Sequence, residues 1–84
     1  MNDVTVRFWA AARDAAGTTE ERYPDGSLAD VLELAAQRHG DRLRTVLARC
    51  SYLVDGEPVG RRDHATVRVP AGAELEVLPP FAGG

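Results

Sequence analysis

Between Ser27 and Gly40, Leu28, Val31, Leu32, Ala35 and Ala36 recur at three- and four-residue spacing, which predicts one helix with a single apolar face. Ser27 and Asp30 resemble a capping box with Asp in place of the usual Glu or Gln, and Gly40 sits where a C-terminal cap belongs. This is the main helix of an 84-residue chain, so the core must form where the remaining segments cover its apolar face. A chain of this length is one domain, too short for two cores and poorly suited to a deep catalytic cleft.

Those segments read as strands. Val4, Val6 and Phe8 alternate with Thr5, Arg7 and Trp9, and Leu75 and Val77 alternate with Glu74, Glu76 and Leu78. Ala10 to Ala16, followed by Gly17, suits a short helix closed by a left-handed glycine, and residues 18–23 then form a second strand ended by a turn at Pro24-Asp25-Gly26. Leu43, Val46, Leu47 and Cys50 repeat the helical spacing over a shorter stretch. Residues 52–54 read as a strand, Asp55-Gly56 is a turn signal, and Glu57-Pro58-Val59 returns at an edge. Val67 and Val69 mark another short extended segment before a turn at Pro70-Ala71-Gly72. The expected class is α+β: a mixed sheet on one main amphipathic helix, with the beta-grasp, or ubiquitin-like, arrangement fitting the element order best. By analogy with that fold, the first and last strands are neighbours at the centre, bringing Trp9 and Leu78 together on the face away from the helix.

Composition removes several classes of function. With 44% hydrophobic and 27% charged residues the chain reads as an ordinary folded domain, and no apolar run approaches the roughly 20 residues that span a bilayer. Met1-Asn2-Asp3 lacks the basic and apolar regions of a signal peptide, so the cytoplasm is the expected compartment. Net charge is -3 and the basic residues are scattered, which disfavours nucleic acid. Cys50 has no partner for a disulfide or a thiolate metal site and reads as a small buried hydrophobe. His39 reads as a surface or capping histidine, and His64 has no partner cluster. Neither a metal site nor a nucleophilic triad is legible.

Chemistry concentrates in the last six residues. Pro79-Pro80 cannot continue a sheet ladder, so the domain is expected over residues 1–78 and an extended tail over 79–84. Fully extended, that tail reaches roughly 20 Å, enough to place Gly84 inside another protein's active site. Gly83 and Gly84 lack a Cβ, which suits a narrow channel. The functional group is then the Gly84 carboxylate, with Pro79, Pro80, Phe81, Ala82 and Gly83 as its arm. Trp9, Leu78 and Phe81 are expected to form an apolar docking patch, with Arg13 at its polar edge. All ten basic side chains are arginine, so the chain offers an activated terminus no lysine amine of its own.

Taken together, VTVRFWAAARDAAG, LVDGEPV and ELEVLPPFAGG resemble the first strand and helix, the middle hairpin, and the closing strand and tail of the MoaD/ThiS family of beta-grasp sulfur carriers. The double proline before the terminal glycines favours its molybdopterin-synthase branch over the thiazole branch. Pro70-Ala71-Gly72-Ala73 departs from the Gly-Asp pair common there. The resemblance implies a non-catalytic sulfur carrier of molybdenum cofactor biosynthesis that binds no cofactor itself. Its partners would be the large subunit of molybdopterin synthase, a sulfur-donor enzyme, and an adenylyltransferase related to ubiquitin-activating enzymes, which consumes the ATP. Carriage for thiamin thiazole, cysteine or thio-metabolite synthesis, attachment to lysines as a ubiquitin-like modifier, and a plain interaction module remain as other readings.

Overall fold

The computed structural model describes residues 3–80. Seven strands and three α-helices follow in the order β1 (Asp3–Phe8), α1 (Ala10–Ala16), β2 (Glu20–Pro24), β3 (Gly26–Ser27), α2 (Leu28–His39), α3 (Asp41–Leu47), β4 (Ser51–Val54), β5 (Glu57–Pro58), β6 (Arg68–Val69) and β7 (Glu74–Leu78), with a 3₁₀ turn at His64–Thr66. The main sheet runs β2-β1-β7-β4-β5, with β1 and β7 parallel at its centre and the other neighbours antiparallel. This is the beta-grasp arrangement expected from the element order.

Alternation decides which side of the sheet is dry. Val4, Val6, Phe8, Leu75 and Val77 are buried and meet Leu28, Val31, Ala35 and Ala36 of α2, while Leu43 and Leu47 of α3 close the same core. Ser27 caps α2 by accepting a hydrogen bond from the Asp30 backbone N–H at 3.1 Å, and the Gly40 N–H returns to the Ala36 carbonyl. Gly17 ends α1 in the left-handed region at φ 76°. Asp55 and Gly56, at φ 49° and 81°, make the tight turn that sets Leu53 opposite Pro58 on edge strand β5.

Three local expectations change. Pro24 belongs to β2, and Gly26, expected in a turn, starts a two-residue strand that pairs with β6 in a separate ribbon. The first strand stops at Phe8, so Trp9 is the N-cap of α1 and not a strand residue. Cys50 lies beyond α3, half-buried, with its thiol donating to the Val46 carbonyl at 3.3 Å.

Candidate functional site

The end of β1 and the end of β7 form one corner of the molecule. The Trp9 N–H donates to the Val77 carbonyl at 3.2 Å, extending the parallel pairing by one step past Phe8. Ala10 then turns the chain through φ 48°, a left-handed conformation costing an alanine about 1 kcal/mol. That turn lets the Trp9 carbonyl accept from the N–H groups of Ala12 and Arg13, at 3.0 and 3.3 Å, and so start α1. Trp9 is left 40% exposed and, among the described residues, is one of two large apolar residues open to water, the other being Leu34 on α2. Its indole N–H donates to Glu76 Oε1 at 3.2 Å across the outer face of the sheet.

Leu78 ends β7 on that same face, opposite Ser51 of β4. Pro79 and Pro80 follow outside the strand, as their missing N–H groups require. Trp9, Arg13, Leu78, Pro79 and Pro80 together line an open, largely apolar depression of about 640 Å³, completed by Ala10, Ala11 and Ser51. Five residues singled out in the sequence are therefore neighbours. Phe81, Ala82, Gly83 and Gly84 lie outside the described residues. Sequence reasoning missed Ala10, Ala11 and Ser51, which reach the corner through a backbone turn or strand pairing, and alternation placed Glu76 on the outer face without revealing its contact with Trp9, which only the fold brings about.

Away from this corner, His39 departs from its expected surface role. Its side chain is only 16% exposed, with Nε2 2.7 Å from Glu21 Oε1, and its ring packs edge-on against Phe8. Glu21 also accepts from the Tyr23 hydroxyl, and Arg38 lies over the Tyr23 ring. His64 is likewise edge-on to Tyr52. Burial pushes the Cys50 thiol up to about 11, which leaves little thiolate at neutral pH. Among the described residues no group of three or more His, Cys, Asp or Glu side chains is placed to hold a metal, and no helix is long and apolar enough to cross a membrane.

Fold and corner together define a beta-grasp domain whose central strand hands the chain to Pro79-Pro80 beside a groove walled by the exposed Trp9. Over residues 6–84 the sequence matches the model of the ThiS family, and the chain belongs to that family. No curated protein matches the sequence. Among solved structures it is similar to small archaeal modifier protein 1 from Methanosarcina acetivorans, with TM-score 0.83 and 23% identity over 100% of this chain and 98% of that one. It is similar also to a putative molybdopterin converting factor subunit 1 from Pyrococcus furiosus, with TM-score 0.77 and 24% identity over 96% and 100% of the two chains. A third is a chain in the complex of subunits 1 and 2 of the molybdopterin-converting factor from Helicobacter pylori, with TM-score 0.68 and 20% identity over 98% and 99%. The ubiquitin-like fold is thus shared with both modifier proteins and molybdopterin-converting subunits.

Proposed function

We propose that this protein is the sulfur carrier of a molybdopterin synthase, with the Gly84 carboxylate as the group that is activated and thiolated. The observation that carries this reading is the exit of Pro79-Pro80 from the central strand at the Trp9 groove, directly ahead of Phe81-Ala82-Gly83-Gly84. Family membership supports sulfur chemistry at the terminal glycine, and the double proline favours the molybdopterin branch.

In this mechanism the Gly84 carboxylate oxygen attacks the α-phosphorus of ATP on a partner adenylyltransferase, and pyrophosphate leaves. The acyl-adenylate replaces a poor leaving group with AMP. A hydrosulfide equivalent from a sulfur-donor enzyme attacks the acyl carbon, AMP departs, and the thiocarboxylate remains. In the large synthase subunit that sulfur attacks an electrophilic carbon of a pterin precursor and displaces an oxygen substituent, forming a thioester to Gly84. Water then cleaves the acyl–sulfur bond, leaving the thiolate on the pterin and the carboxylate on Gly84. The domain contributes reach and docking: Trp9, Leu78, Pro79, Pro80 and Phe81 meet the partner, Arg13 offers a cation at the rim, and Ala82 and Gly83 thread the channel. It holds no cofactor, because acid–base groups and nucleotide belong to the partners.

The test is reconstitution with a large synthase subunit and the adenylyltransferase, following dithiolene formation with the full chain and with Gly84 deleted. Dithiolene from the full chain alone supports the reading. A thiolated carrier that supplies only a thiazole or cysteine synthase assigns it to another pathway, and recovery of Gly84 in isopeptide linkage to protein lysines makes it a modifier.

A further inference from the structure

Trp9 is held at its backbone before any partner arrives. Its N–H is bonded to Val77 and its carbonyl to Ala12 and Arg13, so the freedom left to it is the rotation of the side chain. The indole has a single donor and no acceptor, so one well-placed oxygen is enough to select one orientation. Glu76 Oε1 supplies that oxygen at 3.2 Å.

Glu76 is placed for this by the sheet. It stands on β7 between Arg7 of β1 and Leu53 of β4, two residues before Leu78 and on the same outer face. The neighbouring cation does not compete for it: the Arg7 guanidinium lies 3.4 Å from Glu20 and 3.1 Å from Glu74. Among the described residues the Glu76 carboxylate is bonded to the indole alone.

From this geometry we infer that Glu76 is a positioning residue, which fixes Trp9 in the orientation that forms one side of the groove beside Leu78 and Pro79. The inference rests on the docking role proposed for Trp9. Ordering a rotamer-rich interface side chain in advance is worth about two- to tenfold in affinity, so Glu76 would tighten partner binding without touching the partner.

Three variants, Trp9→Ala, Glu76→Ala and Glu76→Gln, separate the possibilities when titrated with the large subunit of molybdopterin synthase, alongside indole N–H resonance and acrylamide quenching of the single tryptophan in the free domain. Glu76→Gln keeps an acceptor oxygen and should retain the indole resonance, with affinity within about twofold. Glu76→Ala should release the indole N–H to fast exchange, increase quenching and weaken binding about three- to tenfold, with the thermal midpoint nearly unchanged. If Trp9→Ala binds as tightly as wild type, the docking reading fails and this inference falls with it. If Trp9→Ala binds weakly while Glu76→Ala leaves both resonance and affinity unchanged, docking stands and the positioning role is overturned.

Discussion

His39 Nε2 lies 2.7 Å from Glu21 Oε1, tying the C-terminal turn of α2 to edge strand β2. Burial of Glu21 acts to raise its pKa. Hydrogen bonds from Tyr23 and His39 and the charges of His39 and Arg38 outweigh that effect and hold the carboxyl below its ordinary value. A folded-state pKa below the unfolded one gives stability that is present above the unfolded value and is lost as pH falls through the folded value. Denaturant unfolding from pH 7 down to pH 3 should show a smaller acid loss in Glu21→Gln than in wild type. Equal acid limbs would remove Glu21 from the account.

Truncating the centre of the sheet should be costly. Leu75 is fully buried and paired with Val6 on one side and Val54 on the other. Leu75→Ala should destabilise the domain by about 3 kcal/mol, a large share of what a domain this size possesses, as read from the urea midpoint.

Cys50 should be chemically quiet. With its thiol pushed up to about 11 by burial, alkylation at pH 7.5 should run far slower than for a free cysteine and accelerate on unfolding. Cys50→Ser, assayed where it is folded, should still transfer sulfur. Complete loss would favour a persulfide carried on Cys50.

Trp9→Ala should weaken partner binding by roughly 2 kcal/mol while costing the fold about 1 kcal/mol or less, because the three backbone bonds at this position survive the change. Calorimetric titration beside urea denaturation checks both halves. A large stability loss with unchanged affinity would make Trp9 a core residue.

Where burial imposes a period, the sequence was legible. Val4, Val6 and Phe8, and Leu75 and Val77, alternate because each strand has one dry face, and α2 shows its stripe for the same reason. Trp9 looked like the next strand residue and turned out to be a helix cap, since the left-handed turn at Ala10 has no glycine to announce it. The ribbon of Gly26–Ser27 with Arg68–Val69 is too short for any period. His39 with Glu21, and Trp9 with Glu76, are meetings of distant segments that only the fold brings about. The groove was partly visible: Trp9, Arg13, Leu78, Pro79 and Pro80 could be named from the sequence, but not the Ala10, Ala11 and Ser51 that complete it.

The central claim is that sulfur travels on the Gly84 carboxylate. Intact mass analysis of the full chain, co-expressed with its adenylyltransferase and sulfur source, tests it most directly, with fragmentation to place the change. The expected result is replacement of one oxygen by sulfur within the terminal glycine, absent when Gly84 is deleted and unaffected by Cys50→Ser. An unmodified terminus beside an adenylyltransferase shown to be active, or sulfur located on Cys50, would contradict it.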